Sequence, residues 1–181
     1  MSRIEPIERE MATGRSRELL DHVESKMGML PNFYRTMANS SAVLEGYTCL
    51  HDALEDGVLP AKLCEEIALT VSQVNRSEYC LAGHTALGKT LGLSDDEIMD
   101  SRRCQSSDKR VEVVLQFARD VVEKHGWVSD EDVRRLREVG YEDREISEMI
   151  GWIVLSIFGD YFTQITQTEV DFPAVPELAA T

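Results

Sequence analysis

The sequence predicts an all-α protein. Three observations carry this. Apolar residues recur at three- and four-residue intervals along nearly the whole chain, strand-like alternation is nearly absent, and Pro, Gly and Ser/Asp fall where helices stop and start. The 181 residues suffice for one domain with a real core. The pattern divides the chain into an N-terminal arm, 1–15, a helical domain, 16–170, and a C-terminal tail, 171–181.

The elements follow in order. Residues 15–28 place Leu19, Leu20, Val23 and Met27 on one face, and Pro31 in G-M-L-P-N-F ends that helix. A short helix with Phe33, Tyr34 and Met37 comes next. Residues 41–55 repeat Leu44, Tyr47, Leu50 and Leu54, and Gly57 and Pro60 mark the turn into a helix over 60–74. That helix carries a Leu63, Ile67, Val71, Val74 stripe beside the small or apolar Ala68, Leu69 and Ser72, so it is expected to be buried over most of its surface.

Asn75-Arg76 makes a turn, Ser77 sits at an N-cap position, and a helix runs from there to Leu91, stopped by Gly92. Ser94-Asp95-Asp96-Glu97 fits a capping box. A polar loop is expected over 100–108, then helices over 108–124, 130–139 and 143–167. The last is apolar nearly all round in its middle, as expected of a central helix or one buried between subunits. The tail, with two prolines, is expected to be extended or frayed, and the N-terminal arm to be mobile.

Charge excludes one class of function. The 33 acidic and 19 basic residues give a net charge of −14. Nucleic-acid binding needs clustered Lys and Arg to displace counterions. The longest basic cluster, Arg134-Arg135 with Arg137, is interleaved with Glu131, Asp132 and Glu138. No apolar run reaches the ~18–20 residues of a membrane span, and the N-terminus has no secretory pattern, so the cytoplasm is the expected compartment. Cys49, Cys64, Cys80 and Cys104 show no C-x-x-C or zinc-finger spacing, so neither a metal nor another cofactor is expected.

The segment R-S-E-Y-C-L-A-G-H, 76–84, carries the candidate chemistry. With Ser77 as N-cap, Cys80 is the third residue of a helix, where free amide N–H groups and the helix dipole favour a thiolate. His84, four residues on, shares its face at a Cβ separation of ~5–6 Å. An imidazole there can take the thiol proton or stabilise the thiolate. If helices 60–74 and 77–91 are antiparallel, Glu65 lies ~16 Å from the turn and His84 ~12 Å, close enough to meet directly or through a water. Each assignment has a plainer reading. Cys80 and His84 share a face in many inert helices. Glu65 and Glu66 can be a solvated pair, Ser77 a simple cap, and Tyr79 packing rather than cavity lining. His51 reads as a packed histidine, and His22 and His125 as surface residues.

The stretch E-E-I-A-L-T-V-S-Q-V-N-R-S-E-Y-C-L-A-G-H-T-A-L-G-K-T-L-G-L-S-D-D-E-I resembles the signature of the carboxymuconolactone decarboxylase and alkylhydroperoxidase D-like family. That signature has a Glu, a C-x-x-C-x-x-x-H motif twelve residues later, and a following G-L-S. G-M-L-P-N-F-Y-R-T-M-A-N-S-S-A-V-L-E-G-Y and the ending E-V-D-F-P are similar to flanking regions of longer members, so the resemblance covers about 16–173. It implies an all-helical fold, homo-oligomers (trimers or hexamers), and a Glu65–His84 proton relay to Cys80 as nucleophile. Ser77 stands where redox members have their first cysteine, so the two-cysteine disulfide cycle cannot run locally.

Three functions follow. The preferred one is an alkylhydroperoxidase-like antioxidant enzyme, with Cys80 attacking a hydroperoxide and an external thiol as reductant. The second is a cysteine-independent decarboxylase or isomerase of a small organic acid, using His84 and Glu65; its weakness is that only Arg76 adjoins the motif. The third is a non-catalytic binding or assembly protein. A cavity reaching Cys80 separates the third from the other two.

Overall fold

The structure, a computed structural model, describes residues 2–178. They form nine α-helices and one short 3₁₀ turn, Arg9–Met11, with no strand among the described residues. The helices are α1 Gly14–Met27, α2 Asn32–Met37, α3 Ser41–Glu55, α4 Ala61–Asn75, α5 Glu78–Thr90, α6 Asp95–Arg102, α7 Lys109–Glu123, α8 Asp130–Glu138 and α9 Asp143–Thr166. The all-α expectation holds, and helix ends fall within a residue or two of the sequence signals. The polar 100–108 segment is the exception: α6 runs on to Arg102, because Ile98, Ser101 and Arg102 are buried. No helix among the described residues is long and apolar enough to cross a membrane.

The starts obey local chemistry. Ser94 with Glu97, and Ser129 with Asp132, form complete capping boxes, and Asp108 caps α7 through Arg110 N–H. Gly28, past the end of α1, takes φ +70°, a left-handed conformation that costs glycine nothing.

Helix α4 is the hub. It packs against α5, α6, α7 and α9, which explains why Ile67, Leu69, Val71 and Thr70 are wholly buried. Each such apolar side chain contributes roughly 1.5–3 kcal/mol of transfer free energy. One core joins α4, α7, α8 and α9 around Ile67, Val114, Leu115, Leu136, Met149 and Ile153. A second gathers Leu20, Phe33, Met37, Leu44, Tyr79 and Cys80 from α1, α2, α3 and α5.

The arm lies against this second core. Arg3 N–H donates to the Thr166 carbonyl at 2.7 Å, Ile7 N–H to that of Arg35 at 3.0 Å, and Ala12 is buried. Helix α9 buries Met149, Trp152, Ile153, Leu155 and Ser156. Its other face leaves Ile150, Val154, Phe158, Tyr161 and Ile165 exposed, all at helical spacing on one stripe.

Candidate active site

A two-residue link, Arg76 and Ser77, reverses the chain between α4 and α5, with Arg76 in a left-handed conformation at φ +55°. The two helices pair antiparallel, as the spacing predicts, and the pairing brings Glu65 to His84. The His84 Nδ1 to Glu65 Oε2 distance is 2.8 Å. Burial alone would lower the His84 pKa, but the charge and hydrogen bond of Glu65, helped by Asp160, raise it overall. The solvated-pair reading of Glu65 and Glu66 is corrected here. The Glu65 side chain is only 13% exposed and faces His84, while Glu66, on the next side of α4, is buried and its carboxyl is pushed up to about 7 by desolvation.

A cavity of about 70 Å³ reaches Cys80. Its walls include Glu65, His84 and Gly83, the aromatic rings of Phe33, Tyr34, Tyr47, Tyr79, Trp152 and Phe172, and His51. Among the described residues, no Arg or Lys lines it. It sits at the seam of the two cores, and a groove of about 720 Å³ shares its Met27, Tyr34, His51, Glu65, Leu87 and Phe172, so the cavity opens outward through that groove. Trp152 Nε1–H is buried with no acceptor among the described residues.

The Cys80 thiol does not behave as its helix position predicts. It is the third residue of α5, but it is 8% exposed, and burial drives its pKa well above the ordinary thiol value. The charge of Asp160 adds to this, while the hydroxyls of Ser77 and Thr163 pull the other way without winning. A helix terminus contributes roughly 0.3–1 kcal/mol, less than the desolvation of a buried thiolate. Cys80 Sγ is 3.8 Å from Thr163 Oγ1, and it faces α9 at Gly159, where a Cβ would stand 3.8 Å from the sulfur.

Ser77 occupies the N-cap position but its side chain does not cap the helix. It is fully buried, and its hydroxyl pairs instead with Thr163 Oγ1 at 3.3 Å. Tyr79 lines the cavity and also ties three segments together: its hydroxyl accepts from Phe33 N–H at 3.0 Å and donates to Asp171 Oδ1 at 2.7 Å. Asp171 Oδ2 accepts from Asn32 N–H at 2.7 Å, which seats the tail so that Phe172 closes one side of the cavity.

Sequence reasoning missed the α9 contribution. Asp160 is fully buried and accepts from Ser72 Oγ and Asn75 Nδ2, each at 2.8 Å. The available signal was a lone acid inside the apolar run I-V-L-S-I-F-G-D-Y-F, since a buried carboxylate needs partners. His51 is packed as expected, between Tyr47 and Trp152, yet it also lines the cavity. His51, Asp52 and Glu55 present ligand atoms within 4.8 Å of one another. The Lys26 ammonium already bonds Asp52, at 2.7 Å, and Glu55, so a metal there would have to displace it.

Comparison with known proteins fits this fold. Residues 42–124 match the sequence pattern of the Carboxymuconolactone decarboxylase family. No curated protein gives a significant sequence match. Among solved structures, the chain is similar to an uncharacterized peroxidase-related protein with an alkylhydroperoxidase AhpD core from Ralstonia eutropha JMP134 (23% identity, 94% of this chain and 92% of that one, TM-score 0.82). It is similar to an uncharacterized peroxidase-related protein from Silicibacter sp. TM1040 (23% identity, 87% and 85%, TM-score 0.79). It is also similar to a cysteine-to-alanine form of the debrominase Bmp8 in complex with 2,3,4-tribromopyrrole (17% identity, 93% and 91%, TM-score 0.81). At these identities the likeness is one of fold.

Proposed function

We propose that this chain, whose residues 42–124 match the sequence pattern of the Carboxymuconolactone decarboxylase family, is a thiol-dependent oxidoreductase reducing organic hydroperoxides through Cys80. The observation that carries this reading is the cavity that exposes Cys80 to a small ligand while the Glu65–His84 pair lines the same wall. The Cys80 thiolate attacks the outer oxygen of R–O–O–H. The S–O bond forms, the O–O bond breaks, and the departing alkoxide takes a proton, from the His84 imidazolium, to leave as an alcohol. Cys80 becomes a sulfenic acid. Two equivalents of a small external thiol return it to the thiol, releasing water and their own disulfide. The aromatic walls favour an apolar R group.

The alternative, a decarboxylase or isomerase of a small carboxylated metabolite, has less support. A carboxylate in the cavity would meet Glu65 and, among the described residues, no Arg or Lys. A purely non-catalytic role is disfavoured because a cavity reaches Cys80. The protein also acts as a homo-oligomer in this reading, a trimer or hexamer, with the Ile150–Ile165 stripe of α9 as the contact face; the stripe is larger than scattered single apolar residues. Cytoplasmic operation fits the four free cysteines.

The test is mass spectrometry of Cys80 after graded cumene hydroperoxide, with and without a small thiol. Stoichiometric sulfenic acid that the thiol reverses is the expected result. Cys80 unmodified at excess hydroperoxide overturns the reading.

A further inference from the structure

Past α9 the chain runs beside the Cys80 cavity and is tied down on both sides of Phe172. Before Phe172, Asn32 Nδ2 donates to the Glu169 carbonyl at 3.1 Å, and the Asp171 carboxylate accepts from the Tyr79 hydroxyl and from Asn32 N–H, each at 2.7 Å. After it, the buried Arg102 donates to the Pro176 carbonyl at 2.9 Å, and Val175 packs against the Leu81, Leu93 and Ile98 cluster. The Phe172 ring meets Tyr79 edge-on at 5.8 Å between centroids. It rests on α5 at Gly83, where a Cβ would stand 3.4 Å from a ring carbon. A ring held by its own backbone anchors and by a flat seat keeps its place without help from a ligand.

Phe172 belongs to two spaces. It lines the inner cavity of about 70 Å³ that reaches Cys80, and also the outer groove of about 720 Å³. The inner space is too small for an aromatic ring, since a cavity of about 150 Å³ is what holds a benzene molecule. A hydroperoxide can bring its O–O group to Cys80 there, but a bulky R group must stay in the groove. Met27, Met29, Leu87, Leu91 and Pro173 stand with Phe172 along that groove as an apolar wall. Lys26, on the same groove, already bonds Asp52 and Glu55, so the groove suits a neutral R group better than a carboxylate.

Resting on the peroxidase reading above, we propose that Phe172 is a specificity-determining residue: the R group of the hydroperoxide lies in the outer groove against its ring, and the site thereby selects hydroperoxides with a bulky, neutral, apolar R group over hydrogen peroxide.

The selection follows from what each substrate can touch. Both substrates present the same O–O bond to Cys80, and only one has an R group to bury. Apolar contact made outside the reacting centre raises the rate constant for the substrate that makes it and leaves the other without that gain. Asp171 acts at one remove. It touches no part of the inner cavity wall, and its two hydrogen bonds position the neighbouring ring.

The test is a ratio. The second-order rate constants for oxidation of Cys80 by cumene hydroperoxide and by hydrogen peroxide are measured by peptide mass spectrometry. Their ratio is divided by the same ratio for a free small thiol, which removes the difference in intrinsic reactivity. The wild-type value should exceed one. Phe172→Ala should lower it by about tenfold, and Phe172→Leu, which keeps an apolar side chain there, should recover most of the loss. A general disturbance of Cys80 or His84 slows both substrates and leaves the ratio in place. A wild-type value of one or less, or a ratio unchanged in Phe172→Ala, overturns the proposal. Should Phe172→Ala fail to fold, Asp171→Ala frees the ring from its anchor and should lower the ratio in the same direction; an unchanged ratio there overturns it equally. If neither hydroperoxide oxidises wild-type Cys80, the peroxidase reading falls, and the groove contact is read from cumyl alcohol as a protector of Cys80 against iodoacetamide. The protecting concentration should then rise about tenfold in Phe172→Ala. No protection of the wild type, or equal midpoints, overturns the contact itself.

Discussion

His84 Nδ1 and Glu65 Oε2 stand 2.8 Å apart across the α4–α5 pair, both largely buried and both on the wall of the cavity that reaches Cys80. Nδ1 is thereby occupied, and Nε2 is the ring nitrogen left for exchange with a ligand.

That pair fixes a pH dependence. Burial lowers the His84 pKa, but Glu65 and Asp160 raise it above the ordinary 6.5 overall. A group with a raised folded-state pKa gives stability that is full below its unfolded value and lost as pH rises through the folded one. The thermal midpoint of the wild type should therefore fall as pH climbs above about 6.5, and Glu65→Gln should flatten that slope. The same variant should slow hydroperoxide oxidation of Cys80 by ~10²-fold or more. Unchanged oxidation together with an unchanged slope would show the contact to be idle.

Glu66 predicts the opposite kind of variant, one that stabilises. Its carboxyl is raised to about 7 by burial, with the charges of Glu97 and Asp108 adding and Lys62 opposing. A carboxyl with a raised folded pKa costs stability once pH passes through that value. Glu66→Gln should therefore raise stability at pH 8, by on the order of 2 kcal/mol, and change it little at pH 4. Chemical denaturation at the two pH values reads this directly. A loss of stability at pH 8 would contradict it.

Ser77→Cys should restore a two-thiol motif. Residue 77 precedes Cys80 by three positions and its side chain already points to the same Thr163 hydroxyl. After one equivalent of hydroperoxide, the variant should lose two hydrogens in mass and resist alkylation at both positions, whereas the wild type should stop at the sulfenic acid. A sulfenic acid that persists in the variant would mean the two sulfurs cannot meet. The added volume in a fully buried site should also cost ~1–3 kcal/mol.

The α9 stripe predicts association. Val154 and Ile165 are 51% and 65% exposed on one face. Val154→Asp should shift the sedimentation coefficient toward the monomer without lowering helical content by circular dichroism. A wild type that already sediments as a monomer removes the basis for that contact face.

Much of this was legible in the sequence, for a reason that also marks the limit. Helix spans, the capping boxes at Ser94 and Ser129, and the Glu65–His84 meeting follow from local spacing and one tight turn. The Cys80 environment does not. Its position in α5 argued for an acidified thiol, but α9 decides the outcome by burying the sulfur and setting Asp160 against it. Ser77 failed likewise: its cap position was readable, but not that Thr163 would draw its hydroxyl away. Periodicity names the buried face of a helix, not the charge that another helix brings to it.

Glu65 and Glu66 are neighbours in the chain, yet they open onto different waters. One carboxylate faces the cavity of Cys80, and the other a separate cleft of about 450 Å³ beside Lys62, Glu97 and Arg110. Helix α4 is thus a partition, and its register assigns each acid to its compartment. Slipping α4 by one residue would turn Glu66 toward His84 and strand Glu65 against the hydrophobic core. The two positions, identical in letter, have no interchangeable tasks.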